Sequence, residues 1–194
     1  MKPQLGDTIL NRYTLVSSLR EEPGIQAWKA NDRVLAKDCQ LFIITDRSAF
    51  AAIDKLAGRI AATRPDRVIP ILKYRMESDV LLIVMPVDSG QCLTDYMVDT
   101  AKPLSYSAIR SIIGECADVL REVIADTPSG IVITTDTVRV TTSGVQIADA
   151  PCATMLADTS ATDLRTDGPE RYAIRQLAAL LYTLLTRTPS QADR

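Results

Sequence analysis

The chain has 194 residues, 46% hydrophobic and 24% charged, with 22 Lys and Arg set against 24 Asp and Glu. This composition belongs to a globular protein that buries ~70% of its unfolded surface, so no metal or disulfide staple is required, and one domain or two small lobes fit the length. A net charge of −2 without a basic stripe argues against nucleic acid, and the complete lack of histidine excludes Ser-His-Asp and Cys-His nucleophile pairs, His-ligated zinc and an imidazole general base.

The four cysteines, Cys39, Cys92, Cys116 and Cys152, form no C-x-x-C pair, so zinc-ribbon and thioredoxin-type chemistry are not expected and buried, reduced thiols are. No stretch approaches the ~18 apolar residues of a membrane span. The most apolar segment, 177–185, is flanked by Arg175 and Arg187 and reads as a core helix of a soluble chain.

Taken in chain order, 13–19 alternates as a strand, the turn signal Glu22-Pro23-Gly24 precedes a second strand over 25–30, and 41–44 is a short apolar third. A helix starting at Asp46 or Ser48 carries Phe50, Ile53, Leu56, Ala57 and Ile60 and ends before Pro65. Strands are expected over 68–74 and 80–85, giving the order β-β-β-α-β-β. After Pro86 a loop (88–91) leads to a short helical piece over 93–98. Ser105 is placed to cap a long helix reaching about Ala125, with a stripe of Ile109, Ile112, Ile113, Cys116, Val119, Leu120 and Ile124. A further strand is expected over 131–133, then a hairpin over 138–140 and 145–147. The segment 149–169 reads as a polar surface loop and 170–186 as the last helix. Trp28, Tyr172 and Tyr182 are expected to pack in the interior, and the pair Glu21 and Glu22 to be solvated.

This order resembles a bacterial Ser/Thr protein kinase truncated after its first large helices. The stretch Gly6-Asp-Thr-Ile-Leu-Asn-Arg-Tyr-Thr-Leu-Val16 resembles the entry to the first kinase strand, 19–30 the Gly-rich loop and second strand, and 80–87 the fifth strand and hinge with Met85 as gatekeeper. Residues 104–148 resemble the long helix, catalytic loop and hairpin, and Leu180-Leu-Tyr-Thr-Leu-Leu-Thr186 the following large helix. The resemblance implies an α+β, two-lobed fold: a five-stranded antiparallel N-lobe with one helix over 1–85, a hinge over 86–92, and a truncated, mainly helical C-lobe over 93–194.

The residues that perform phosphoryl transfer in such kinases are mostly replaced. The three loop glycines correspond to Arg20, Glu22 and Ile25, and Glu22 would repel a phosphate. The ATP-pairing lysine falls on Phe42, and its glutamate partner on Asp54 or Lys55. H-R-D becomes Ile133-Thr134-Thr135 in a shortened loop, so no carboxylate stands at the base position unless Asp136 shifts into it. The metal-binding asparagine has no counterpart, and the degenerate catalytic positions are Phe42, Thr135 and Thr137. D-F-G becomes Asp149-Ala150-Pro151, leaving one candidate Mg²⁺ ligand; a carboxylate that caps a turn is the equal alternative reading of Asp149. Ala27, Phe42 and Met85 converge where adenine would sit, with Phe42 expected to fill that space.

The resemblance therefore implies a pseudokinase without a cofactor. Gly24-Ile-Gln-Ala-Trp28 and Pro151-Cys-Ala-Thr-Met155 are similar to motifs of the intracellular pseudokinase domains of actinobacterial MviN proteins, the MurJ-type lipid II flippases, from which Asp149 departs. That family implies a regulatory module of peptidoglycan precursor export on the cytoplasmic side of the membrane, tethered to spans outside this chain. It would be phosphorylated by a Ser/Thr kinase of the PknB type and bound by an FHA-domain phosphothreonine reader. The candidate phosphothreonines are Thr154, Thr159, Thr162, Thr166, Thr186 and Thr188, or one beyond Arg194. Two other readings stand beside it. One is a nucleotide-binding switch or atypical kinase in which Lys29, on the same strand face as Ala27, replaces the missing lysine and Asp149 holds metal; against it, Lys29 is read as solvated. The other is a free-standing kinase-like scaffold.

Overall fold

A computed structural model describes residues 3–77, 79–98, 103–126, 131–156 and 168–188, without the side chains of 125, 126, 154 and 156. The fold is α+β, and its long strands form one antiparallel sheet: β1 (Thr8–Ile9), β2 (Tyr13–Glu22), β3 (Ile25–Asp32), β4 (Lys37–Ile44), β5 (Lys73–Met76) and β6 (Leu81–Pro86), in the order β1-β2-β3-β4-β6-β5. Strands β4 and β6 lie inside this sheet, and their stretches Leu41–Ile44 and Leu81–Met85 are buried on both faces, which is why these stretches read as unbroken apolar runs. On one face Tyr13, Leu15, Trp28, Ala30, Cys39, Leu41, Ile43, Leu82 and Val84 form a single cluster. The register places Ile25, Ala27, Phe42, Ile44, Ile83 and Met85 on the other face, all buried. Edge strand β5 is exposed along its length, with Lys73 and Arg75 supplying the charge that discourages edge-to-edge pairing.

Helix α1 (Phe50–Thr63) follows a 3-10 turn over Arg47–Ala49. Asp46 caps it, its Oδ1 accepting from the Ser48 amide at 2.9 Å and the Ser48 hydroxyl at 2.7 Å. The five apolar positions read from the sequence are its buried residues.

The chain divides into two units, Met1–Ala61 with Pro70–Val87, and Ala62–Ile69 with Asp88–Arg194. The second contains β7 (Gln91–Cys92), α2 (Leu93–Val98), α3 (Tyr106–Asp126), β8 (Val138–Thr141), β9 (Gly144–Ile147), α4 (Ala153–Leu156) and α5 (Pro169–Thr186). Its three-stranded sheet has the order β7-β8-β9. Ser105 Oγ accepts from the Ala108 amide at 3.2 Å and caps α3. Ile109, Ile112, Cys116, Val119, Leu120 and Val123 are buried on α3, which packs against α5. Ile113 and Ile124 are only half-buried, and Val123 takes the place expected of Ile124.

Several expectations are corrected. The large sheet has six strands rather than five, because Thr8 and Ile9 pair with Thr14 and Tyr13. The strand expected over 68–74 is confined to Lys73–Met76: Ile69 donates to the Ile147 carbonyl at 2.9 Å within the second unit, and Pro70 has no amide to continue a ladder. Residues 131–133 are deeply buried but form no strand, since side chains rather than a neighbouring strand hold their backbone. Residues 150–153 are not surface loop: Ala150, Cys152 and Ala153 are at most 1% exposed, and Ala153–Leu156 is helical. Tyr182 is 52% exposed, unlike Trp28 and Tyr172, which are buried as expected.

Candidate functional site

In the first unit, Phe42 occupies the centre of the sheet face that carries Ala27 and Met85. It is paired with Ala27 on one side and Ile83 on the other, and is 0% exposed. An aromatic ring surrounded by Ala27, Ile83 and Met85 offers neither charge nor donor to a phosphate. Lys29 lies one step along the same face, opposite Gln40. It is not simply solvated: its Nζ is 2.8 Å from Asp38 Oδ2, in a half-exposed ion pair. Lys29, and Asn31 through a second hydrogen bond, hold the Asp38 carboxyl below its usual range.

The β2–β3 turn is tied down where a nucleotide-binding loop would need freedom. Gly24 adopts φ +79°, and its carbonyl accepts from the Thr45 amide at 2.8 Å and the Asp46 amide at 3.2 Å. A Cβ on Gly24 would fall 2.6 Å from Asp46 Cβ, so this close approach admits no side chain. Arg20 and Glu22, two positions apart on β2, form an ion pair at 3.4 Å, and Ile25 is buried. A cavity of about 620 Å³ opens beside the turn, lined by Glu21, Glu22, Gly24, Gln26 and Thr45 among others. Its ionisable lining is acidic and repels phosphate.

The far end of the same strands holds a feature that sequence reading missed. Arg12 grips Asp32 through Nε at 2.9 Å and Nη2 at 2.6 Å, while Asp32 Oδ1 also accepts the amides of Val34 at 3.0 Å and Leu35 at 3.3 Å. The Arg12 bonds and then these amides lower the Asp32 pKa to about 2. The R-Y pattern contained the arginine, but nothing in the linear sequence joined it to a residue 20 positions away.

In the second unit, residues 133–137 form a braced turn. Thr137 is 5% exposed, and its Oγ1 donates to the Val132 carbonyl at 3.0 Å and accepts the Thr134 amide at 2.9 Å. The Thr135 carbonyl accepts from the Thr94 amide at 3.1 Å and from Cys92 Sγ at 3.4 Å. Asp136 accepts the Thr94 hydroxyl at 2.6 Å, and its carbonyl binds Arg139. Arg139 Nε donates to Asp88 Oδ2 at 2.8 Å. Burial opposes the Arg139 charge, but Asp88 and Cys92 outweigh it and its pKa is raised. Gln176 on α5 clamps the entering segment: its Oε1 accepts the Ile133 amide, and its Nε2 donates to the Ile131 carbonyl at 3.2 Å. The available signal was a glutamine at an inward helical position among Tyr172, Ala173 and Leu180.

Asp149 stands in left-handed backbone, φ +57°, where its carbonyl accepts the Cys152 amide at 2.8 Å and turns the chain into α4. Among the described residues no group of three or more His, Cys, Asp or Glu converges as a metal site. All four cysteines are free, with Cys39, Cys116 and Cys152 buried and Cys92 partly exposed. Thr186 and Thr188 are exposed at the end of α5, where the Thr186 hydroxyl donates to the Tyr182 carbonyl at 2.8 Å. Thr159, Thr162 and Thr166 lie outside the described residues, as does the side chain of Thr154. No described helix is long and apolar enough to cross a membrane.

No protein-family model matches this sequence, and comparison with curated proteins finds no relative.

Proposed function

We propose that this chain is a pseudokinase: a two-lobed, kinase-like module that transfers no phosphate and acts instead by being phosphorylated and bound. The observation that carries this reading is Phe42, fully buried in the sheet at the position the kinase resemblance assigns to the ATP-pairing lysine. Phosphoryl transfer depends on charged groups held around the phosphates, and a buried phenyl ring supplies none. The braced 133–137 turn supports the same reading, since the hydroxyl of Thr137 and the carboxylate of Asp136 are both engaged with neighbours.

On the family resemblance, the module belongs on the cytoplasmic side of a MurJ-type flippase. A PknB-type kinase modifies it on threonine, and an FHA-domain protein reads the mark. A phosphothreonine adds about −1.5 to −2 charge and strong acceptors that an arginine-lined pocket recognises. The hydroxyls of the candidates Thr186 and Thr188 lie 2.8 Å apart at the end of α5. Phosphate on Thr186 would break its bond to the Tyr182 carbonyl and set negative charge on the negative end of α5.

The test is calorimetric titration of the chain with ATP, with and without Mg²⁺, to millimolar ligand, followed by incubation with a PknB-type kinase and mapping of phosphothreonine. No heat with ATP, together with FHA binding only after phosphorylation, is the expected result. Saturable ATP binding abolished by Lys29→Ala or Asp149→Ala overturns it in favour of a nucleotide switch.

A further inference from the structure

The turn between β3 and β4, residues 33–36, projects from the first unit. The ladder to β2 ends at the rung Tyr13–Asp32 and the ladder to β6 at the rung Cys39–Pro86, so the tip extends past the last rungs of both neighbouring strands. Every residue from Arg33 to Lys37 is exposed, and at the centre stand two large apolar side chains, Val34 at 70% and Leu35 at 58%. Their amides are satisfied from within: both donate to Asp32 Oδ1, at 3.0 and 3.3 Å, and the Arg33 amide donates to the Arg12 carbonyl at 3.0 Å. The tip can therefore leave water without stranding these donors. Its charge is one-sided. The two acids of this hairpin end are already paired, Asp32 with Arg12 at 2.6 Å and Asp38 with Lys29 at 2.8 Å. Arg33 and Lys37, on either side of the apolar pair, form no ion pair among the described residues. Asp7, the next acid on this side of the sheet, is held beside Leu15, two positions further along β2, and its Oδ2 accepts the Gln4 amide at 2.8 Å.

We propose that this tip inserts at the surface of an anionic bilayer. Val34 and Leu35 reach the acyl boundary, while Arg33 and Lys37 keep their charges among lipid phosphates. A protruding pair of side chains suits a surface that deforms around it, and falls well short of the ~800 Å² per partner of a standard protein interface. A second copy meeting tip to tip would set Arg33 and Lys37 against their own counterparts, with the carboxylates of Asp32 and Asp38 already engaged. Two apolar side chains and two cations make the contact weak and salt-dependent, so that it is read at millimolar lipid. The inference does not rest on the pseudokinase reading, since it uses only the β3–β4 turn.

The test is flotation of the chain with vesicles of phosphatidylcholine alone or containing about one-third phosphatidylglycerol, at low and high salt. The expected result is partition onto the anionic vesicles at millimolar lipid, weakened by salt. The double substitution Val34→Ser with Leu35→Ser should reduce it roughly tenfold. Arg33→Gln with Lys37→Gln should reduce it by a similar factor and flatten the salt dependence. Both change only exposed side chains, and an unchanged thermal midpoint verifies that each variant is folded. Ile174→Ser, on the exposed side of α5, should leave partition intact. Absence of partition, equal partition onto both kinds of vesicle, or partition that both tip variants leave intact overturns the proposal, as does partition lost on Ile174→Ser. Concentration-dependent dimerisation removed by the tip substitutions overturns it in favour of a self-association surface.

Discussion

The buried carboxamide of Gln176 spans two residues of extended backbone, accepting the Ile133 amide and donating to the Ile131 carbonyl. One side chain of α5 thus supplies what a neighbouring strand would otherwise provide. Gln176→Leu conserves volume but leaves a buried donor and a buried acceptor unpaired, and is expected to cost about 2 kcal/mol or more in urea unfolding. Gln176→Glu can accept from Ile133 but, when ionised, cannot donate to Ile131. Burial raises the pKa of such a carboxyl, so this variant should be more stable at pH 5 than at pH 8; equal stability at both would count against the clamp.

The Arg12–Asp32 pair makes the first unit acid-sensitive. The folded-state pKa of Asp32, about 2, lies below the unfolded value near 3.8. Its contribution is therefore complete above pH 4 and is lost as pH falls from 4 towards 2. Asp32→Asn should flatten the acid limb of a stability profile in that window and lower stability at pH 7, because the amide cannot receive both Arg12 bonds.

Placing a lysine at position 42 should not create nucleotide binding. Phe42→Ala is expected to cost about 3 to 5 kcal/mol through lost burial and the cavity left behind. Phe42→Lys should cost at least as much, because a charge is placed in an apolar interior. Thermal unfolding of both, with and without Mg-ATP, checks this, and a midpoint raised by nucleotide in Phe42→Lys would contradict it.

One thiol should dominate cysteine chemistry. Burial, aided by Asp32 and Asp38, pushes Cys39 up to about 11, and burial with Glu115 raises Cys116 to about 12. Cys152 is raised well above its usual value by burial and then by Asp149. A thiol near 11 is on the order of one-thousandth ionised at pH 8, and the thiolate is the reactive form. With Ellman's reagent, the partly exposed Cys92 should react first and the other three only on unfolding; Cys92→Ser should remove the fast phase.

Local chemistry made much of the fold legible. The turn at Gly24, the cap at Asp46, the five-residue stripe of α1 and the cap at Ser105 each depend on residues a few positions apart, and each lies where the pattern put it. The expectations that failed depended on partners distant in sequence. Residues 131–133 have the composition of a strand, but Gln176 holds their backbone from 43 and 45 residues away. Val68 and Ile69 also look like a strand, yet they associate with Ile147.

The candidate site divides in the same way. Composition alone removed histidine chemistry, and the resemblance to kinases, not residue identity, is what matched Phe42, Thr135 and Thr137 with positions where a kinase keeps functional groups. Tertiary structure decided that Phe42 is fully buried, that Lys29 faces Asp38, that Thr137 bonds backbone, and that the outer side of α5 is left exposed. Periodicity reports that a helix has an apolar stripe, but a helix apolar on two sides gives no indication of which side the rest of the chain will cover. That choice rests on the long-range packing of α5 against α3, which no local pattern encodes.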